Sequence, residues 1–346
     1  MLNRLISLAL FVVSASGFAA PVKVGYSTVI STAGYFIALE RGYFKEYGLE
    51  IEGTPFRGST AAMNALLAKG QLDVGGGNIT AGLWNANGEN EQIKLVADKG
   101  TVSKGHEYIA LLVRADLVKE GRFKSLKDLK GMKMAFTALG GTSQEIVTER
   151  FLKKAGLEPK DVTYVKLPYA DMNAAFRTKQ LDATMQVEPY VTIAEMEGIA
   201  VKVGTAYDVY HDQPSAALFY STKFAKERPE EAKKFMAAYL RGVRDYNAAF
   251  GPDKKDRAAI VEILKKHTEP RVDEAWDKMA PVGLNPDGYL NREYLANDVA
   301  WFKERKYVDK VLPVEQLVDN TFVDSALQLI GKAEKPPRKK AGKAKK

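Results

Sequence analysis

One pattern in this chain occurs twice, 109 residues apart, and it limits the architecture more than any other feature. "AMNALLAKGQLD" (62–73) returns as "DMNAAFRTKQLD" (171–182), with Met63/Met172, Asn64/Asn173, Ala65/Ala174, Gln71/Gln180, Leu72/Leu181 and Asp73/Asp182 identical. The segments ahead of the two copies agree as well: "ERGYFKEYGLE" (40–50) parallels "ERFLKKAGLE" (149–158), which is one residue shorter. A helix–turn–strand unit used twice predicts two lobes of related build.

Around each copy, period-two strand patterns alternate with helical spacing. "VKVGYS" (22–27) reads as a strand and "TAGYFIALERGYF" (32–44) as a helix, with Ser31 or Thr32 placed to cap it. Gly48 is placed to end that helix in the left-handed conformation. "LEIEGTPF" (49–56) is the next strand and "GSTAAMNALLAKG" (58–70) the next helix, capped by Ser59 or Thr60. "LDVGGG" (72–77), the helix start "NITAGLWNA" (78–86) and "IKLVAD" (93–98) complete the first round. Alternating elements mean a largely parallel sheet covered by helices, the α/β class. A second round begins near "SLKDLKGMKMAF" (125–136) and runs to "LDATMQVEPY" (181–190). The apolar strands "EYIALLVR" (107–114) and "SAALFYS" (215–221) bracket it and make a two-stranded hinge. Residues after 222 are helical and are expected to pack back on the first lobe. The resulting division is 20–110 with 218–330 for lobe one and 111–217 for lobe two.

The ends of the chain read differently. Arg4, the apolar run "LISLALFVV" (5–13) and the small residues of "SASGFAAP" form a secretory signal peptide, residues 1–19, cleaved after Ala19. The apolar run is too short to span a bilayer. At the other end, "KPPRKKAGKAKK" (335–346) holds seven basic residues and no acid; the segment 331–346 reads as a basic disordered tail. Removing those seven charges and Arg4 from the formal +8 leaves the body near neutral, which gives no case for nucleic-acid binding. The absence of cysteine excludes disulfides, thiol catalysis and a lipid-modified N-terminal cysteine.

"ALERGYFKEYGLEIE" (38–52), "ALLAKGQLDVGGG" (65–77), "SLKDLKGMKMAF" and "KQLDATMQVEPY" (179–190), in this order, resemble the periplasmic substrate-binding proteins of ABC importers. The similar group is the nitrate/sulfonate/taurine type, which includes binders of thiamine-pyrimidine precursors. The resemblance spans roughly residues 22–330. It implies a type II periplasmic-binding-protein fold, with two mixed sheets flanked by helices and two hinge strands. It also implies a small-molecule ligand in the cleft, permease subunits in the inner membrane as partners, a monomer, and no cofactor. The signal peptide fits a periplasmic protein that is exported and not lipid-anchored. The lysine-rich tail departs from the family pattern.

In open α/β sheets ligands sit beyond the carboxyl ends of the strands, where helix N-termini favour anions. In lobe one that places Ser27, Thr28, Gly34, Tyr35, Arg57, Gly58, Ser59, Thr60, Asn78 and Thr80 as candidate ligand contacts. In lobe two it places Thr137, Gly141, Thr142, Ser143, Tyr169, Asp171, Glu188 and Tyr190. Arg57 suits a carboxylate or sulfonate, Tyr35, Tyr169 and Tyr190 a planar group, and Asp171 and Glu188 a ligand amine. Phe56 and Trp84 read as core. "GGG" (75–77) lacks the Gly-Lys-Ser/Thr ending of a P-loop and reads as a tight turn at a strand end.

The rival class is a secreted enzyme. His106, His211 and His267 lack metal-ligand spacing, and neither H-E-x-x-H nor G-x-S-x-G occurs. The expectation is therefore a binding protein without catalytic or metal residues. Its ligand is expected to be a small organic anion, a sulfonate or an aromatic or heterocyclic carboxylate, with a pyrimidine or thiamine precursor as the alternative.

Overall fold

The computed structural model describes residues 20–56, 60–88, 92–268, 272–309 and 312–333. The signal-peptide segment 1–19, Arg57, Gly58, Ser59 and the basic run 335–346 lie outside them.

The first lobe runs β1 (Val22–Tyr26), α1 (Ala33–Glu40), α2 (Tyr43–Glu46), β2 (Ile51–Pro55), α3 (Thr60–Ala68), β3 (Val74–Asn78), α4 (Ala81–Asn87) and β4 (Ile93–Thr101). The second runs β5 (Ile109–Arg114), α5 (Ala115–Lys119), β6 (Lys133–Phe136), α6 (Ser143–Lys154), β7 (Thr163–Lys166), α7 (Tyr169–Arg177), β8 (Ala183–Val187), α8 (Tyr190–Met196) and β9 (Ala200–Thr205). The chain then returns through β10 (Pro214–Ser221) to α9 (Thr222–Glu227), α10 (Pro229–Phe250), α11 (Arg257–His267), α12 (Arg292–Glu304), α13 (Val314–Leu317) and α14 (Thr321–Ile330).

Two five-stranded sheets result, ordered β2-β1-β3-β10-β4 and β7-β6-β8-β5-β9. They match strand for strand. β1 is parallel to β2 and β3 as β6 is to β7 and β8, and each sheet takes one antiparallel strand in its fourth place, β10 and β5. Those two strands are buried along their whole length, as central strands covered on both faces must be, so they read as near-continuous apolar runs. β2 is an exposed edge ending at Pro55, where no ladder donor is needed.

The chain changes sheets ahead of these strands, through residues 102–108 and 206–213. Boundaries at 110/111 and 217/218 therefore fall inside β5 and β10, each of which belongs wholly to one sheet. The two crossings are tied to each other by the Val102 N–H donating to the Gln213 carbonyl at 3.0 Å.

The first crossover departs from its sequence reading. The helix breaks at Gly42, which takes φ +73°, and restarts as α2 before Gly48 ends it at φ +72°. Neither Ser31 nor Thr32 caps it. Thr32 instead donates to the Ser27 carbonyl at 2.8 Å and folds the loop after β1 onto itself. The late helices meet both lobes: α14 packs on β4, and α12 touches α6. α10 packs on α1 and α14, burying Ala232, Phe235, Met236, Tyr239, Leu240, Val243 and Tyr246 at three- and four-residue spacing. α1 and α10 meet backbone to backbone: a Cβ on Gly242 would lie 2.1 Å from the Gly34 carbonyl oxygen, and one on Gly34 would lie 2.6 Å from Val243 Cγ2. Gly34 is thus a packing residue, and its place as a ligand contact is corrected.

Candidate ligand-binding site

Between the carboxyl ends of the two sets of parallel strands lies a cavity of about 230 Å³. One water needs only ~10–15 Å³ on the same measure, so the space has room for a small solute. The first lobe contributes Ser27, Thr28, Val29 and Ser31 from the loop after β1, Phe56 after β2, Thr60 and Met63 of α3, and Gly77 and Asn78 at the end of β3. The second contributes Pro168, Tyr169, Ala170 and Asp171 at the start of α7, and Tyr190 at the start of α8. A smaller space of about 20 Å³ adjoins it, shared by Ser31, Asn78 and Tyr169 with Tyr108, Ser143, Glu188 and Ser215.

The lobes touch around the cavity. Asn78 Nδ2 donates to the Tyr169 hydroxyl at 3.3 Å. Beside it, the Ala81 N–H donates to the Gly141 carbonyl at 2.8 Å and the Ser143 N–H to the Ile79 carbonyl at 3.3 Å. Gly141 permits this approach. It has φ +100°, and a Cβ there would lie 2.5 Å from Ala81 Cβ. Thr80 and Thr142, bridged to each other, cap the two helices that start at this junction. Thr80 Oγ1 accepts from the Leu83 N–H, and Thr142 forms a capping box with Glu145.

Of the residues placed at the site from sequence, Ser27, Thr28, Thr60, Asn78, Tyr169, Asp171 and Tyr190 line the main cavity; Ser143 and Glu188 line the smaller one. Thr80, Thr137, Gly141 and Thr142 line neither and serve the interlobe junction or helix α6. Thr137 Oγ1 donates to Gln144 Oε1 at 3.1 Å. Tyr35 is corrected: it is 2% exposed, packed among Tyr26, Phe36 and Phe44, and burial pushes its hydroxyl well above the usual tyrosine range. Phe56, read as core, faces the cavity, and the glycine run is extended strand β3 and no turn. Val29, Ser31, Met63, Pro168 and Ala170 went unread as contacts. The offset repeat pairs Thr60 with Tyr169, both on the cavity, but pairs Met63 with Met172, which is buried and does not line it.

The carboxylates and phenols differ in readiness. Glu188 is 2% exposed, and its oxygens are occupied by the Thr192 N–H (3.0 Å), the Thr192 hydroxyl (2.9 Å) and the Ala280 N–H (3.2 Å). Burial raises its pKa against those bonds. It ties α8 to the first lobe's late segment. Asp171 is exposed at the rim. Tyr169 is held neutral, its pKa pushed up to about 12 by burial.

Among the described residues, no group of three or more His, Cys, Asp or Glu is arranged to hold a metal ion, and no helix is long and apolar enough to cross a membrane.

Comparison with known proteins fits this geometry. The provisionally named aliphatic sulfonates-binding protein of Bacillus subtilis (strain 168) is 28% identical over 324 residues, covering 89% of this chain and 88% of that one. The alkanesulfonate-binding protein SsuA from Xanthomonas axonopodis pv. citri, solved bound to MOPS, superposes with a TM-score of 0.69 at 19% identity, over 88% of this chain and 99% of SsuA. The periplasmic nitrate-binding protein NrtA from Synechocystis PCC 6803 superposes with a TM-score of 0.72 at 14% identity, over 90% of this chain and 89% of NrtA. These are binding proteins and not enzymes, and the two solved ones share with this chain the two-lobed periplasmic-binding-protein fold. The model of the NMT1-like family matches residues 18–265, and the chain belongs to that family.

Proposed function

We propose that the protein is the solute-capturing component of an ABC import system, holding a small organic anion between its lobes and delivering it to a membrane permease. The observation that carries this reading is the cavity itself, lined from both sheets at the carboxyl ends of their strands. A solute there touches both lobes only when they are together, so it stabilises the closed arrangement and presents a distinct surface to a partner. The crossings at 102–108 and 206–213 are the segments about which the lobes would rock. Phe56, Tyr169 and Tyr190 favour a ligand with an organic group, and the relatives named for sulfonates support a sulfonate or carboxylate head. Export to the periplasm and cleavage after Ala19 complete this reading.

The rim carboxylate Asp171 favours a second reading, a ligand bearing an amine or a pyrimidine ring. Thermal unfolding of the mature chain with alkyl sulfonates, taurine, nitrate, aromatic acids, pyrimidines and amino acids separates the two. A ligand at a hundred times its Kd adds about 2.7 kcal/mol. Stabilisation by sulfonates or aromatic acids supports the first reading, and stabilisation by pyrimidines alone the second. A folded, ligand-free protein indifferent to the whole panel would sink both.

A further inference from the structure

Lys99 lies in β4 behind the cleft, 2% exposed, and its Nζ donates to Ser31 Oγ at 3.0 Å. That is its one hydrogen bond among the described residues, although an ammonium carries three donors, and no ion pair accompanies it there. Its neighbour Asp98 is committed elsewhere. Asp98 Oδ1 accepts from the Gly100 N–H and the Thr101 hydroxyl, and Oδ2 from the Asn285 N–H at 2.7 Å. The fold makes room for the lysine stem: a Cβ on Gly76 would lie 2.6 Å from Lys99 Cδ and 2.8 Å from Cε. A buried ammonium without an ion pair is costly, so its presence calls for a compensating partner.

Ser31 points to where that partner sits. It lines both the main cavity and the space adjoining it. Its oxygen accepts the Lys99 proton, and its own proton has no acceptor among the described residues. A hydroxyl polarised by an ammonium is a stronger donor, and here it is left to donate into the cleft.

We propose that Ser31 and Lys99 form a relay that reads the negative charge of the bound solute: Ser31 donates to the anion, and Lys99 behind it supplies the countercharge. This inference rests on the organic-anion reading above and names the residues that would enforce it. While Lys99 is charged, a neutral isostere leaves the buried ammonium unpaired and binds more weakly.

The relay couples binding to protonation. Burial pushes Lys99 down to about 7, partly opposed by Asp98. Around it, Asp98 is raised to about 6 by burial, Tyr108, Tyr169 and Tyr239 stay protonated, and Asp171 and Glu188 line the cavities from the other lobe. An anion at Ser31 favours the ammonium, so binding above pH 7 takes up a proton.

The test is calorimetric titration of the mature protein, Lys99→Met and Ser31→Ala with benzoate, benzamide and pentanesulfonate, at pH 8 in two buffers of different ionisation enthalpy. The expected result is that the wild type binds an anionic probe in preference to benzamide, with proton uptake. Each variant should lose about tenfold or more in affinity for that anion, as befits a charge-assisted hydrogen bond, and Lys99→Met should lose the proton uptake. Anion binding by folded Lys99→Met within about twofold of wild type would overturn the relay alone. A wild type that binds neither anionic probe, or binds benzoate and benzamide equally, overturns the relay and the organic-anion reading together. If Lys99→Met fails to fold, Ser31→Ala, which removes one hydroxyl, decides by the same affinity criterion.

Discussion

Strands β3 and β8 hold the same place in their two sheets, and their surroundings begin alike. Asp73 and Asp182, the last residues of the repeated unit, each accept the backbone N–H of a lysine on the neighbouring parallel strand, Lys23 at 2.9 Å and Lys133 at 3.0 Å. Each also meets an arginine, Arg228 at 3.1 Å and Arg114 at 3.0 Å. Met63 and Met172 each place a thioether against the strand, accepting from the Gly76 N–H and the Thr184 hydroxyl. The strands themselves then diverge. β8 carries Thr184, Met185 and Gln186 where β3 carries three glycines. Gln186 Nε2 donates to the Tyr169 carbonyl (3.1 Å) and to Asn173 Oδ1 (3.2 Å), and Asn173 Nδ2 donates to the Tyr190 carbonyl (3.0 Å). The matching Asn64 leaves its Oδ1 without a partner among the described residues. The second lobe thus fixes its two cavity tyrosines through a side-chain network. The first bares its strand so that Thr60, Leu67 and Lys99 can lie across it. One scaffold supplies a braced wall on one side of the cleft and a stripped strand on the other.

The comparison breaks most visibly if the second strand is written into the first. Gly75→Thr, Gly76→Met and Gly77→Gln together are expected to abolish folding, seen as loss of a cooperative unfolding transition. A Cβ on Gly77 alone would lie 2.0 Å from Thr60 Cγ2, and one on Gly75 2.6 Å from Leu67 Cδ1. Gly77→Ala by itself should cost about 1–3 kcal/mol in urea unfolding, the usual range for overpacking; full stability would show that β3 does not need to be bare. Of similar size, Asp73→Ala and Asp182→Ala should each cost about 1.5–3 kcal/mol, the range for hydrogen bonds to a charged group. Their effects should add in the double variant, because the sites share no partner. A marked inequality would show that the two positions only look alike. Gln186→Ala should cost about 1–2 kcal/mol for its lost bonds and weaken ligand binding, by loosening Tyr169 and Tyr190; unchanged affinity would mean that the tyrosines stand without the network. The smallest effect is a slope. Unfolded lysine keeps its proton to about 10.5 while Lys99 in the folded chain releases it near 7, so the unfolded state binds more protons between these values. Stability therefore rises with pH there, by at most about 1.4 kcal/mol per unit. Lys99→Met should remove that component from unfolding curves at pH 7 and 8.

Much of this contrast was legible in the chain, because strand–helix alternation and the repeat depend on local pattern. Strand ends located Ser27, Thr28, Thr60, Asn78, Tyr169, Asp171 and Tyr190 on the cavity. The misses have a common cause. Residues 33–38 of α1 are all buried, so no polar face marks which way Tyr35 turns, and Gly34 answers to a helix more than two hundred residues away. Lys99 stands in a strand covered on both faces, where alternation does not say which face sees the cleft. The glycine run looked like a turn because its reason, side chains lying across it, comes from α3 and β4.

The route of the chain between the sheets also sets an order of assembly. Residues 109–205 form one sheet from a continuous segment, whereas β3 and β4 wait for β10, delivered only at residues 214–221. A chain emerging N-terminus first holds two open strand edges across that whole interval, one of them almost bare of side chains and so a ready template for mispairing. The lobe that comes first in the sequence is the last to be completed, and until β10 docks its open edges can pair with another chain.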